Sequence, residues 1–322
     1  MSSGLHSKLT RRSLIGAAAG FAFVPLNAVG AQRAHRSIVN CVAVSPDGAT
    51  VATGGWDTTI VLWDAARREA AERLTGHAGS VSDLSFAGMD QLVSASWDTT
   101  LRRWDITSGA SLVTYRGHRE NVSSLALSGN RMLSGGWDRT ARLWDRENGK
   151  QLLEIEGHDG QVLAVEFLAG TGLFATASYD MTIRLWEDAS GSAAGILAGH
   201  ERSVNCLHWK PASGILFSGS TDGNVILWDV AGMREIRRIL AHDGFVTSIA
   251  AVPGRDELIS VGGDGVLRRW DIASGRRLQE TLPAGKPLWS CASAPDGTMF
   301  HVAGHDGFVG SVGRTADRIE TW

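Results

Sequence analysis

The chain has 322 residues, 43% hydrophobic and 20% charged, as expected of a globular protein with a sizeable core. Lys and Arg number 31 against 34 Asp and Glu, and this near balance argues against a nucleic-acid-binding protein, which needs a basic face. The 39 Gly favour a turn-rich, all-β chain, and the three Cys, none in CxxC spacing, exclude a zinc ribbon and an attached c-type haem.

The first 31 residues have the layout of an export signal. A basic region with Lys8, Arg11 and Arg12 precedes an apolar run over residues 14–26, and small residues follow up to Ala31. The motif TRRSLIG, residues 10–16, resembles the bacterial twin-arginine export signal. The apolar run is shorter than the roughly 20 residues that cross a membrane. We therefore predict a signal peptide over 1–31, a mature domain over 32–322 without a membrane span, and a periplasmic location.

From residue 35 onward the chain alternates between apolar and polar residues in short segments. Residues 81–86, 92–96 and 100–104 each show this period of two, and turns of Gly, Asp and Ser separate them. Such a pattern predicts short antiparallel strands.

The same pattern recurs about every 42 residues. Six tryptophans are spaced by 40–42 residues: Trp63, Trp104, Trp144, Trp186, Trp228 and Trp270. Six histidines precede them at the same spacing: His35, His77, His118, His158, His200 and His242. Repeats of this length are typical of propellers and solenoids.

These co-registered repeats resemble the WD-repeat family, and the resemblance covers His35 to Trp322. It implies that each repeat forms one four-stranded propeller blade. Residues 32–322 hold about seven such repeats, so we predict an all-β fold, a seven-bladed β-propeller.

The seventh blade is predicted to be degenerate. It carries Ala284 where the other repeats have His, Val302 where they have Ser or Thr, and Val312 where they have Trp. We expect it to be the blade least firmly tied to the ring. Because little chain would remain before His35 after signal cleavage, we expect residues 318–322 to supply its outer strand and Trp322 to pack at the edge.

Each complete repeat combines His, Ser or Thr, Asp and Trp, which raises the question of a nucleophilic triad. Six identical triads have no use in an enzyme, whereas the donors and acceptors permit a chain from the indole through the hydroxyl and His to Asp. In the WD-repeat family, this tetrad is a buried hydrogen-bonded network that supports the blade. We therefore predict no catalytic residue and no cofactor.

The family's usual docking face carries the turn Asp and the loop after His. The residues just before the turn Asp are Trp56, Trp97, Trp137, Tyr179, Thr221, Gly263 and His305. Those after the first residue of each inner strand are Asn40, Ser82, Ser123, Leu163, Asn205, Thr247 and Trp289. Exposed aromatic patches mark partner surfaces, so we predict partner binding by Trp56, Trp97, Trp137, Tyr179, Trp289 and His305. The alternative is that these rings lie flat on neighbouring blades.

Other residues give weaker signals. Arginines that alternate along the third strands are expected to form a solvated flank, and the three Cys are expected to be free, buried thiols. Cys291, His301, His305 and Asp306 could in principle hold a metal, but no spacing supports such a site, so we predict none.

The leading interpretation is an exported, non-catalytic scaffold that docks a partner protein and binds no nucleic acid. The resemblance extends to bacterial propellers found beside, or fused to, c-type cytochromes, which makes a periplasmic redox protein the candidate partner. Two alternatives stay open. One is a cofactor- or metal-carrying enzyme that uses the central channel, and the other is a protein that binds small ligands or glycans by Trp stacking.

Overall fold

The alternating segments form 28 β-strands, which pair in sequence order into seven four-stranded antiparallel sheets. A computed structural model describes residues 34–282 and 284–322. In that part of the chain the only other regular element is a 3-10 turn, His305–Gly307. The prediction of an all-β, seven-bladed propeller is thereby confirmed. The predicted signal peptide, residues 1–31, lies outside the described residues.

Each blade contributes one strand to each of four concentric positions. The inner strands, which line the central channel, are β1 Val39–Val44, β5 Val81–Phe86, β9 Val122–Ser128, β13 Val162–Leu168, β17 Val204–Lys210, β21 Val246–Ala251 and β25 Leu288–Ser293. The second strands are β2 Thr50–Gly55, β6 Gln91–Ser96, β10 Arg131–Gly136, β14 Leu173–Ser178, β18 Ile215–Ser220, β22 Glu257–Gly262 and β26 Met299–Gly304.

The third strands are β3 Ile60–Asp64, β7 Thr100–Asp105, β11 Ala141–Asp145, β15 Thr182–Glu187, β19 Asn224–Asp229, β23 Leu267–Asp271 and β27 Val309–Gly313. The outer strands are β4 Glu69–Leu74, β8 Ser111–Arg116, β12 Gln151–Ile155, β16 Ala193–Ala198, β20 Arg234–Leu240, β24 Arg277–Glu280 and β28 Glu320–Thr321. Blades are numbered 1 to 7 in chain order. Among the described residues, no helix is long and apolar enough to cross a membrane.

The core lies between adjacent blades. In every second strand all residues after the first are buried, because neighbouring blades cover both faces of the sheet. Trp104 of blade 2, for example, shares a buried cluster with Leu62 and Leu74 of blade 1. Each blade therefore completes the core of the one before it.

The ring closes between blades 7 and 1, and the C-terminal segment supplies the outer strand of blade 7, as predicted. Glu320 and Thr321 pair with β27, and the Trp322 backbone N–H donates to the Val309 carbonyl at 2.9 Å. The Trp322 ring packs edge-on against Trp63 of blade 1 at 5.6 Å between centroids. Its indole N–H donates to Ser311 Oγ at 3.1 Å.

Blade 7 lacks the tetrad, as its sequence predicts, but other contacts join it to blade 6. Glu257 of blade 6 accepts from Arg314 at 2.6 Å and from Arg269 at 2.7 Å. The Gln279 amide also donates to the Gly313 carbonyl at 3.2 Å. Ion pairs and a hydrogen bond thus join the degenerate blade to blade 6, and the expectation that blade 7 is the least firmly tied blade stays a prediction.

Candidate functional site

The six predicted tetrads all form, and blade 2 shows their geometry. The Trp104 indole N–H donates to Ser94 Oγ at 2.8 Å, Ser94 Oγ lies 2.7 Å from His77 Nε2, and His77 Nδ1 lies 2.7 Å from the Asp98 carboxylate. Because the serine oxygen accepts from the indole, its own hydrogen is free to donate to Nε2, which leaves Nδ1–H to donate to Asp98. The remaining tetrads repeat these contacts: His35/Thr53/Asp57/Trp63, His118/Ser134/Asp138/Trp144, His158/Thr176/Asp180/Trp186, His200/Ser218/Asp222/Trp228 and His242/Ser260/Asp264/Trp270.

The tetrad carboxylates are held in the charged form. Burial by itself would raise the pKa of Asp98, but hydrogen bonds from His77, from Thr100 and from the Ala78 backbone N–H bring its pKa well below the ordinary value. The His158 and His200 pKa values are lowered by burial, in spite of the aspartates beside them. These groups therefore keep one protonation pattern at neutral pH.

The tetrad hydroxyls cannot reach a substrate. Each of the six has no exposed surface: Thr53, Ser94, Ser134, Thr176, Ser218 and Ser260. A nucleophile must contact its substrate, so these tetrads support the blades, as a fully satisfied polar network does.

A row of aromatic side chains crosses the face that carries the turn aspartates, which we call the docking face. The centroids of Trp56 and Trp97 lie 5.5 Å apart, as do those of Trp97 and Trp137, and both pairs are tilted. Trp56 is 47% exposed and Tyr179 is 63% exposed. The structure thus brings three predicted site residues into one contiguous stack, and Tyr179 occupies the same position before the turn Asp in blade 4.

The other two predicted residues form a second aromatic group. Trp289 lies 5.6 Å from His305, and its opposite neighbour, Phe245, stacks on it at 5.6 Å and 21°. Sequence reasoning missed Phe245; the signal is that Phe245 is the only aromatic residue directly before the first residue of an inner strand. Between the two groups lies a cleft of about 500 Å³ with Trp56 on one side and His305 on the other.

The second set of predicted face residues serves mainly to join the blades. Asn40 donates to the Val81 carbonyl of the next blade at 3.1 Å. Four others donate in the same way to the following blade: Ser82 to Val122, Ser123 to Val162, Asn205 to Val246 and Thr247 to Leu288. Trp289 departs from this pattern, since its indole nitrogen is buried without a hydrogen-bond partner. Buried N–H groups without a hydrogen-bond acceptor are scarce in folded proteins.

The arginines of the third strands do not form a solvated flank, which corrects the prediction. Arg103, Arg142, Arg268 and Arg269 are all buried. Arg142 pairs with Glu154 at 2.9 Å and lies 3.8 Å from Asp138. The alternation predicted exposure wrongly because the two neighbouring blades cover the two faces of the sheet.

The central channel encloses about 510 Å³ and is lined by all seven inner strands. Its titratable groups include Asp83, Glu166 and His208, which sequence reasoning had not singled out. Burial raises the Asp83 pKa to about 6, and burial and then the charge of Asp83 raise the Glu166 pKa to about 8. Burial and then the Lys210 charge lower the His208 pKa to about 4. Near pH 7, a carboxyl group with the pKa of Glu166 and an imidazole with the pKa of His208 are largely neutral, whereas Asp83 is mostly ionised.

The structure separates the residues weighed for a metal site. Cys291 faces the channel, His301 packs on Trp322 at 5.3 Å, and His305 packs on Trp289. The described part of the chain holds no group of three His, Cys, Asp or Glu side chains that could bind a metal ion. The three thiols are free; Cys41 and Cys291 are buried and Cys206 is half-buried.

Comparison with known proteins agrees with this architecture. The family model described as IFT122 first beta-propeller matches residues 87–310, and that of the WD domain, G-beta repeat, matches residues 27–64. Over 63 residues the chain is 44% identical to the U3 snoRNP-associated protein-like EMB2271 of Arabidopsis thaliana, a match that covers 19% of this chain and 13% of that protein.

Two further relatives match this chain over similarly short segments. The Nuclear distribution protein nudF of Aspergillus oryzae (strain ATCC 42149 / RIB 40) is 40% identical over 63 residues, 19% of this chain and 14% of the relative. The Ribosome biogenesis protein WDR12 homolog of Drosophila erecta is 34% identical over 80 residues, 20% of this chain and 19% of the relative. The chain thus matches less than a fifth of the length of each relative, and the similarity lies in the repeats.

Proposed function

This chain belongs to the WD-repeat β-propeller family, and on that premise we propose that it is a non-catalytic scaffold that docks a partner protein on its docking face. The contiguous stack of Trp56, Trp97 and Trp137 carries the proposal. Trp and Tyr dominate the binding energy of protein interfaces, and nothing in the tetrads requires an aromatic residue before the turn Asp, because Thr221 and Gly263 occupy that position in blades 5 and 6.

We further propose that the protein acts in the periplasm, after export by the twin-arginine-type signal of residues 1–31. The Arg11–Arg12 pair and the apolar run that follows it support this location. A periplasmic redox protein such as a c-type cytochrome is the partner class we propose, from the resemblance to propellers found beside such cytochromes.

The test is cross-linking of the protein in periplasmic extract, followed by mass spectrometry of the captured proteins. The variant Trp56→Ala/Trp97→Ala/Trp137→Ala should lose the partner that the wild type captures. A matched control, Leu112→Ala/Leu152→Ala/Ile196→Ala, removes three exposed apolar side chains from the outer strands, away from the docking face, and should retain it. A partner that binds all three proteins equally would contradict the docking-face assignment.

The rival function is a cofactor-carrying enzyme that uses the central channel. The neutral carboxyl of Glu166 and the imidazole of His208, both facing that channel, are the observation in its favour. An absorbance spectrum and a metal analysis of protein purified from its native host distinguish the two functions. A stoichiometric chromophore or metal would favour the enzyme, and a spectrum of aromatic absorbance alone would favour the scaffold.

A further inference from the structure

Two loop positions lie side by side on the docking face of blades 1 to 5. One is the residue just before the turn Asp, and the other is the residue just after the tetrad His. In blade 1 the backbone N–H of Arg36 donates to Asp57 at 3.0 Å, and in blade 3 that of Arg119 donates to Asp138 at 3.0 Å. Ala78, Asp159 and Glu201 make the same bond. The tetrad therefore fixes both positions relative to each other.

The residue types at these positions divide the face into two halves. Next to the tryptophans of blades 1 to 3 stand Arg36, Ala78 and Arg119, and Arg139 follows the turn Asp of blade 3. Blades 4 to 6 carry Asp159, Glu201 and Asp243 after the His. All seven residues are exposed. The half that carries the three tryptophans, blades 1 to 3, is thus basic, and the half formed by blades 4 to 6 is acidic.

Neighbouring loop residues do not remove this polarity. The basic half carries one negative loop residue, Glu120, and the acidic half carries one positive loop residue, Arg202. Each is outnumbered by the charges of its half. In blade 7, Lys286 lies 3.6 Å from Asp306. Within the described residues, the side chains of Arg36 and Arg139 form no ion pair, and Arg119 lies 3.7 Å from Glu154 while three-quarters of its side chain is exposed.

We propose that the docking face recognises a partner segment that combines carboxylates with apolar side chains, an inference that rests on the proposed function. The apolar side chains pack on the stack of Trp56, Trp97 and Trp137 and enter the cleft between Trp56 and His305. Arg36 lines that cleft, and Arg36 and Arg139 meet the carboxylates with charges that the protein itself does not neutralise. The acidic half repels the same segment, which fixes its position on the face.

The experiment selects a phage-displayed library of random linear peptides on the immobilised protein. The wild type should enrich peptides rich in Asp and Glu together with Leu, Phe or Trp. The variant Arg36→Glu/Arg139→Glu should enrich peptides with Lys or Arg instead. For a peptide selected on the wild type, this variant should bind about tenfold more weakly at low salt, and the difference should shrink at high salt because ions screen exposed charges.

Arg202→Glu is the matched control, since it reverses an exposed arginine on the acidic half of the same face. It should leave both the selected peptides and their affinity unchanged. All variants must first show the wild-type unfolding midpoint, which exposed loop substitutions rarely alter.

Several outcomes would overturn the inference: no enriched peptide, enrichment of basic or neutral peptides by the wild type, or an effect of Arg202→Glu equal to that of the double variant. Self-association that Arg36→Glu/Arg139→Glu abolishes would identify a second copy of the chain as the occupant instead. A cross-linked partner that depends on the tryptophans but not on the arginines would leave the proposed function intact and remove only this inference.

Discussion

At the scale of single residues, the turn after the second strand carries one residue in the left-handed region in each of blades 1 to 6. Blades 1 to 4 use residues with a Cβ there, and blades 5 and 6 use glycine: Thr58 (φ 67°), Thr99 (71°), Arg139 (66°), Met181 (71°), Gly223 (84°) and Gly265 (73°). A side chain in this region is strained, yet the hydrogen bonds of the preceding Asp hold the turn. The aromatic blades therefore carry strain in the turns that present their tryptophans.

The variant Thr99→Gly should raise the free energy of unfolding by about 0.5–1 kcal/mol, because glycine adopts a positive φ without a steric penalty. Urea denaturation measures this change. Thr99→Ala keeps a Cβ and should show no comparable gain. A gain of equal size in both variants would point to the threonine side chain and not to backbone strain.

A tetrad aspartate should be more important for stability than the corresponding residue of blade 7. Asp98→Ala leaves the Nδ1–H of His77 buried without an acceptor and should lower the free energy of unfolding by roughly 1–3 kcal/mol. Asp306→Ala is the comparison, since Ala284 takes the place of the histidine in its blade: it leaves no buried histidine donor without an acceptor, although it removes the exposed ion pair with Lys286, and should cost less than Asp98→Ala. Equal losses in thermal or urea unfolding would show that the turn, and not the tetrad, provides the stability.

At the scale of the strand, the inner strands divide their side chains between two tasks. The second residue of most inner strands donates to the carbonyl of the next blade, as Asn205 does to Val246 at 2.8 Å. Side chains further along face the channel, among them Glu166 and His208. The strand that links the blades therefore also brings titratable groups into a confined space.

Glu166 should make stability fall as the pH rises. Its pKa is about 8 in the folded protein, against an ordinary value of 4.5, so the folded state binds the proton more strongly than the unfolded state. Its contribution is full below pH 4.5 and is lost between pH 4.5 and 8. Glu166→Gln should flatten this part of the stability profile, which denaturation at a series of pH values measures. An unchanged slope would show that Glu166 is ionised in the folded protein.

At the scale of the whole molecule, the ring closes by contacts that no repeat contains. Trp322 packs on Trp63 and His301 at the junction of blades 7 and 1, while Glu257 joins Arg269 and Arg314 between blades 6 and 7. A ring of blades must close because a broken junction exposes the faces of two sheets. The stability of the propeller therefore depends on the contacts that close the ring.

Trp322→Ala should lower the free energy of unfolding by about 2–4 kcal/mol, since it removes a large aromatic contact and the indole donor to Ser311. Trp56→Ala is the control: this ring is 47% exposed on the docking face and should have little effect on stability. If both variants unfold at the wild-type midpoint, the junction is held by the β1 and β25 strands alone.

Much of this architecture follows from the sequence because its determinants recur at a fixed spacing. Short segments of period two, the spacing of His, Ser or Thr, Asp and Trp, and the turn signals between them are local features, and each tetrad joins residues of a single repeat. The sequence therefore predicted seven blades, the six tetrads, the degenerate seventh blade and the positions of Trp56, Trp97, Trp137, Tyr179, Trp289 and His305. It likewise predicted the C-terminal closure, because the position of Trp322 relative to Val312 is also local.

Only the tertiary structure decided what each residue meets in the next blade, some 40 residues away in sequence. The alternation of the third strands predicts an exposed Arg142, whereas the neighbouring blade buries it; Asn205 resembles a free polar side chain until the Val246 carbonyl is placed beside it. The stacking of Phe245 on Trp289 and the neutral Glu166 arise in the same way. Burial and partner choice depend on surfaces brought together by ring closure, and a periodic sequence specifies each blade far more strongly than the contacts between blades.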